Sequence, residues 1–325
     1  MGYWNGKKVL ITGGAGFIGS HTAEILLAKN AEVSVIDTLE NGNLNNLNSI
    51  VNDIEILKKD LRDFDSCVKA SKNKDVVMNI AAMVGGIHFN EKHPALMLHE
   101  NILINTNVLN AAKETNVERF LVVSSACVYP RNCSIPTPEE EGFKDHPEPT
   151  NFGYGWAKRI AEIQGMAYNK EYGMNVAIAR PYNCYGPRDQ FDPEKSHMIP
   201  AIIKRIFDNE NPLVVWGSGE QSRSFIYVTD LAKGLVEVTE KYATADPVNL
   251  GSNEEIKIKD LVELIKKISG KSPSLKFDNT KPDGQPRRKC DDEKAIKILG
   301  FKTEISLKDG IKNMIEWYKQ NILND

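Results

Sequence analysis

Cys127 stands in Ser124-Ser125-Ala126-Cys127-Val128-Tyr129-Pro130, directly after the apolar run Phe120-Leu121-Val122-Val123. The run reads as a buried parallel strand. That places the thiol at a strand's C-terminal end, the edge where open α/β sheets bind ligands. Tyr154 and Lys158 follow with the spacing Tyr-x-x-x-Lys, one helical turn apart. The Ser125 hydroxyl, a phenol beside an ammonium, and a thiol on one rim suggest two chemistries, hydride transfer and proton removal from carbon.

The elements that must hold these groups alternate. Lys8–Thr12, Glu32–Asp37, Ile54–Leu57, Asp75–Ala82, Arg119–Ser125 and Asn175–Arg180 read as strands, and 16–28, 94–113 and 153–172 carry helical periodicity. Such alternation implies βαβ units and a parallel sheet. The expectation is an α/β chain with a Rossmann-type doubly wound sheet over residues 1–180. Residues 181–325 are expected to form a smaller α/β substrate domain, with some segments returning to the first sheet. There, 198–207, 257–269 and 307–321 read as helices, and 212–216, 224–228 and 248–250 as strands.

Thr12-Gly13-Gly14-Ala15-Gly16-Phe17-Ile18-Gly19 joins the first strand to the first helix. Gly13, Gly16 and Gly19 allow a tight turn, close backbone approach to a pyrophosphate, and close helix packing. Phe17 and Ile18 open the helix, whose N-terminal N–H groups favour phosphate. Asp37 ends the second strand and can accept both ribose hydroxyls of NAD while repelling a 2′-phosphate. No Arg or Lys lies between Asp37 and Lys58, so NAD is expected rather than NADP. Asp60 and Leu61 follow the third strand; Asp60 either meets the adenine or caps a helix. Ala81, after the fourth strand, completes the expected cofactor contacts.

Hydrophobic content is 41%, charged content 26% and net charge −3 over 325 residues. The balance is that of an ordinary globular protein and gives no reason to expect a nucleic-acid or anionic-membrane surface. No apolar run approaches ~18 residues, and the N-terminal residues lack a signal-peptide core. Five cysteines without a Cys-x-x-Cys pair favour reduced thiols in the cytoplasm over a disulfide framework or a metal site. Cys184 is expected to pack rather than react.

The glycine pattern, Asn79-Ile80-Ala81-Ala82, Ser125 and Tyr154-Gly155-Trp156-Ala157-Lys158 together resemble the extended short-chain dehydrogenase/reductase family over nearly the whole chain. Within it, Val84-Gly85-Gly86-Ile87, the Cys127 segment, Ser196-His197-Met198-Ile199-Pro200, Trp216-Gly217-Ser218-Gly219 and Lys281-Pro282-Asp283-Gly284-x-Pro286-Arg287 resemble the GDP-L-fucose synthases. Gln221-Ser222-Arg223-Ser224-Phe225 and the Cys127 segment also resemble the GDP-mannose 3,5-epimerases.

The resemblance implies roles. Tyr154 exchanges a proton with the sugar O4 as hydride moves at C4, Lys158 lowers the phenol pKa from about 10 and bonds the nicotinamide ribose, and Ser125 holds O4. A C4 ketone acidifies the protons at C3 and C5. In the resembled synthases the Cys and His matching Cys127 and His197 act as base and acid on opposite faces of the sugar. Arg223 matches a diphosphate-binding arginine; Arg205 and Arg287 are further candidates, and Trp216 either borders the nucleotide or packs in the core. The implied partner is a GDP-linked sugar and the implied assembly a homodimer through helices 94–113 and 153–172.

Two reactions stay open: reduction of a delivered 4-keto sugar after C3/C5 epimerisation, or a redox-neutral epimerisation on retained NADH. The resembled synthases use NADPH, so Asp37 departs from their pattern and favours the second. Simple 4-epimerisation would leave Cys127 and His197 without work. A 4,6-dehydratase would need acidic residues at Ala126-Cys127. An NAD-binding regulator would not need Tyr154 and Lys158.

Overall fold

A computed structural model describes residues 2–192, 195–281 and 285–323. Pro282, Asp283 and Gly284 of the basic loop lie outside the described residues. The first half of the chain forms β1 (Lys8–Thr12), α1 (Phe17–Ala28), β2 (Glu32–Asp37), β3 (Glu55–Lys58), α2 (Phe64–Ser71), β4 (Val76–Asn79), α3 (Ile87–Lys92), α4 (Pro94–Glu114), β5 (Arg119–Val123), α5 (Phe152–Tyr172) and β6 (Asn175–Pro181). The second half forms β7 (Asn183–Tyr185), α6 (Met198–Phe207), β8 (Leu213–Trp216), β9 (Ser222–Tyr227), α7 (Val228–Lys241), β10 (Pro247–Leu250), β11 (Glu255–Lys257), α8 (Ile258–Ser269), β12 (Leu275–Asp278), β13 (Arg287–Arg288), α9 (Glu293–Leu299) and α10 (Leu307–Asn321).

Seven strands make one parallel sheet in the order β10-β6-β5-β4-β1-β2-β3. The chain winds outward from β1 to β3, then crosses to β4 and winds the other way. Ligands bind such sheets where the order reverses, here between the C-terminal ends of β1 and β4. The expected doubly wound α/β fold is the one observed. Both faces are covered, so the strands are apolar throughout rather than alternating with polar residues. On β5, Phe120 and Val122 face a cluster containing Val108, Leu109 and Ala161 from α4 and α5. Leu121 and Val123 face the opposite cluster, with Ala23, Leu26, Leu231 and Leu235 from α1 and α7.

The later elements build a second apolar cluster from α6, α8 and α10 around Ile203, Leu261, Ile265 and Ile311. β9 pairs with β11, β13 and β7 in a small sheet, and β8 pairs with β12. β10, from this half of the chain, joins the edge of the main sheet beside β6.

The fourth strand stops at Asn79 rather than Ala82 because side chains capture the chain there. The Asn79 side chain accepts from Thr12 Oγ1 at 2.8 Å and donates to Asn105 Oδ1 at 3.2 Å, and Ala81 N donates to Thr12 Oγ1 at 3.0 Å. The strand expected to end at Val228 ends at Tyr227, and α7 starts immediately.

Helix α5 enters the fold under a tight constraint. A Cβ on Gly153 would sit 2.1 Å from Pro94 O, so only glycine lets α5 lie this close to the start of α4. Gly153→Ala is expected to destabilise the protein by about 1–3 kcal/mol through overpacking, read as a lower urea midpoint. A wild-type midpoint would show that the two helices give way easily.

Candidate active site

The chain leaves β1 through Gly13 at φ +65°. A Cβ there would lie 2.9 Å from Ala81 Cα, and one on Gly19 would lie 2.2 Å from Gly13 O. These contacts make a backbone cradle that a side chain would fill. α1 has no side-chain cap and begins from Gly16 with Phe17 and Ile18 in its first turn, the geometry from which helix N–H groups serve a phosphate. The cradle fits a dinucleotide's pyrophosphate.

Asp37 is 9% exposed at the end of β2. Its Oδ2 accepts from Ala15 N at 3.1 Å and its Oδ1 from Leu39 N at 2.9 Å. Burial raises the carboxyl above its ordinary range, and these two donors oppose the rise. Asp60 is taken by Arg62, whose Nε and Nη2 donate to it at 2.6–2.9 Å. The capping alternative for Asp60 does not hold: Asp63 caps α2, accepting from Ser66 N at 3.1 Å. Leu61 is buried beside it.

β5 delivers the chemical end. The chain turns through a short 3-10 helix, Ala126–Val128, capped by Ser125, whose Oγ accepts from Cys127 N at 3.1 Å. That bond occupies one lone pair of the hydroxyl, which stays near enough to Tyr154 to oppose the rise in its phenol. Gly155 lets α5 approach the turn: a Cβ there would lie 2.7 Å from Cys127 O. Lys158, 7% exposed, donates to Val123 O at 2.8 Å and lies 5.4 Å from the Tyr154 ring centroid. Ser125, Cys127, Tyr154 and Lys158 therefore share one corner of the sheet.

Burial dominates the titration of this corner. It lowers the Lys158 ammonium to about 8, against a smaller opposing effect of Cys127. It raises the Tyr154 phenol above its ordinary range; Cys127 adds to the rise and the Ser125 bond opposes it. The expectation that Lys158 draws the phenol down is not met in this geometry, because the ammonium faces the Val123 carbonyl instead.

His197 is the N-cap of α6. Its side chain is exposed, yet it lies so deep among protein atoms that desolvation lowers the imidazole below its ordinary value. The neutral ring is thereby favoured over a standing imidazolium. Its neighbour Ser196 reaches the loop before α3, with Ser196 O 2.9 Å from where a Cβ on Gly86 would stand. α3 in turn packs on α5.

The nucleotide candidates fall into two groups. Arg223 on β9 and Arg287 on β13 belong to adjacent strands. Arg223 Nη1 donates to Ser222 O at 2.8 Å, and exposed Arg287 pairs with Glu255 at 2.7 and 2.9 Å. Arg205 is held by Glu210 at 2.6 Å and by Val214 O at 2.6 Å, so it braces the turn into β8. Trp216, at the end of β8, is 51% exposed under the Lys281 ammonium, which rules out the core-packing alternative.

Sequence reading passed over the asparagines that shape the site. Besides Asn79 and Asn105, Asn101 accepts from Met83 N and donates to Met83 O, both at 3.0 Å, fixing the loop after β4. Three buried asparagines facing one strand end was the available signal.

The family model described as "NAD dependent epimerase/dehydratase family" matches residues 9–251. The chain belongs to this family. The probable GDP-L-fucose synthase 1 of Oryza sativa subsp. japonica is 35% identical over 98% of this chain and 94% of its own. The UDP-N-acetylglucosamine 4-epimerase from Methanobrevibacter ruminantium M1, solved in complex with UDP-N-acetylmuramic acid, superposes with a TM-score of 0.89 at 28% identity, over 98% of this chain and all of the other. A UDP-glucuronic acid 4-epimerase from Bacillus cereus, in complex with UDP-glucuronic acid and NAD, gives 0.85 at 28% identity, over 96% and 99%. The resemblance drawn from the motifs is borne out, and the chain is an enzyme of the NAD(P)-dependent nucleotide-sugar epimerase and oxidoreductase type. No helix among the described residues is long and apolar enough to cross a membrane.

Lys158→Met is expected to raise stability at pH 7 by about 1–3 kcal/mol while removing turnover. The folded value near 8 lies below the unfolded value of 10.5, so the cost of the buried charge is full below pH 8 and fades as pH rises toward 10.5. Urea midpoints of variant and wild type should therefore converge between pH 7 and about 10. A gap that is absent, or constant with pH, contradicts the buried charge.

Proposed function

We propose that this enzyme exchanges hydride at C4 of a GDP-linked hexose and epimerises C3, C5 or both while C4 is a ketone. The observation that carries this reading is the thiol: Cys127 shares one turn with Ser125 and lies against the start of α5, which bears Tyr154 and Lys158. Bound NAD supplies the hydride acceptor and donor for C4. Tyr154 holds and returns the proton of the sugar O4, with Ser125 donating to the same oxygen. Lys158 turns from Val123 O toward the nicotinamide ribose and brings its charge beside the phenol. Cys127 takes the proton from the carbon beside the ketone. His197, at the start of α6, takes a proton from solvent and returns it to that carbon from the opposite face.

Asp37 supports NAD over NADP. Gly42 packs closely on it: a Cβ there would lie 2.7 Å from Asp37 Oδ1, and the carboxylate itself would repel a 2′-phosphate. Arg62 and Lys195 reach this loop: Arg62 is paired with Asp60, with Glu100 at 3.0 Å and with Glu40 at 3.5 Å, and Lys195 Nζ donates to Asn41 Oδ1 at 3.2 Å. The GDP assignment rests on the motifs and the fucose synthase relatives, with Arg223, Arg287 and Trp216 at the nucleotide end. Exposed Leu96, Phe152 and Ile163 on α4 and α5 support a homodimer through these helices. Five free thiols suit the cytoplasm.

A second reading, 4-epimerisation alone, is favoured by the two structural neighbours, both named 4-epimerases. It uses only Ser125, Tyr154 and Lys158. The readings separate in one experiment. NAD-loaded enzyme with a GDP-hexose is expected to yield C3/C5 epimers without net change in NADH absorbance. Cys127→Ser should abolish solvent-deuterium exchange at C3 and C5 by at least about 100-fold while sparing hydride transfer at C4. Exchange that survives the substitution refutes the role of the thiol; stoichiometric NADH consumption with a 4-keto sugar establishes a reductase instead.

A further inference from the structure

We infer that Ser124, Glu162 and Arg180 are positioning residues, a buried charged brace that keeps the Ser125–Cys127 segment aligned with Tyr154 and Lys158. The inference rests on the proposed chemistry for its kinetic consequence but not for its geometry. Glu162 on α5 and Arg180 on β6 have side chains 0% and 1% exposed. Arg180 Nε and Nη2 donate to the two carboxylate oxygens at 2.8 and 2.7 Å, and Ser124 Oγ donates to Glu162 Oε1. The remaining Arg180 nitrogen, Nη1, donates to Tyr129 Oη at 3.1 Å and Glu139 O at 2.5 Å.

The brace thus holds the chain on both sides of the reactive turn. Ser124 precedes Ser125, and Tyr129 follows Cys127 by two residues. A fully buried ion pair is a weak source of net stability, since apolar residues of similar volume do as well or better. What this pair does that an apolar pair cannot is bond a hydroxyl and a phenol in fixed directions. The arrangement matters because Lys158 has two partners to serve. When its ammonium leaves Val123 O, the link between the end of β5 and α5 that it provided is lost. The Ser124–Glu162 bond remains, one helical turn further along α5.

Ser124→Ala removes the hydroxyl and leaves the ion pair whole. The expected result is a kcat lower by about tenfold with KM changed by less than about twofold, since positioning acts on the transition state more than on binding. Alkylation of Cys127 by iodoacetamide, read by peptide mass spectrometry, should accelerate several-fold as the turn loosens. Ser124→Thr should restore both quantities. Should Ser124→Ala not fold, Tyr129→Phe, which removes the bond on the other side of the turn and leaves the ion pair whole, is read in the same way. Wild-type kcat and labelling without the hydroxyl, or a loss that Ser124→Thr leaves unrepaired, overturns the inference. The labelling needs no substrate, so it decides the brace even if the enzyme turns over no sugar nucleotide. That last result would refute the proposed function alone.

Discussion

The buried pair of Glu162 and Arg180 is the constraint on which the rest of the molecule turns. It joins the sheet to α5, and its hydrogen bonds leave it on both sides of the Cys127 turn. α5 adds a second hold, with Arg159 Nε and Nη2 donating to Val128 O at 2.9 and 2.6 Å. Unpaired, either charge would cost several kcal/mol in this interior. Together they tolerate little displacement, so the strand end and the helix keep one relative position.

That rigidity matters because the proposed function asks two kinds of chemistry from one corner. Tyr154 and Lys158 come from a helix and Ser125 and Cys127 from a turn. Burial that lowers Lys158 also raises Tyr154. On the proposed chemistry, proton transfer at O4 needs the Lys158 charge at the phenol oxygen, whereas the ammonium here donates to Val123 O and lies 5.4 Å from the Tyr154 ring centroid. The site is consistent with chemistry that starts only once the cofactor has drawn Lys158 away.

Much of this was legible from residue types and spacing. The glycine turn, Asp37, and the Tyr-x-x-x-Lys helix are local patterns, and the elements that were expected formed within a few residues of their bounds, whereas helices such as α7 and α9 were not foreseen. The expected Ser125, Cys127, Tyr154 grouping followed from strand ends and helix starts. What residue spacing did not show was which charges pair with one another, near or distant in the chain. Arg205 sits beside Glu210 and Arg287 beside Glu255, so two cations expected to meet a diphosphate already have carboxylates. Asp60 is likewise claimed by Arg62, which no strand pattern foretells. Glu162 and Arg180 read individually as ordinary charged residues of a helix and a strand. Only the packing of α5 on β5 and β6 brings them, with Ser124, into one buried cluster.

The most direct test of the central claim, that ketone formation and carbon-acid chemistry share this corner, is where solvent hydrogen enters the product. A GDP-hexose turned over by the NAD-loaded enzyme in D2O, with the product resolved by proton NMR, gives the answer in one spectrum. The account predicts deuterium at C3, C5 or both, with C4 keeping its original hydrogen because hydride leaves and returns there without meeting solvent. A product inverted at C4 and free of deuterium at C3 and C5 would contradict it.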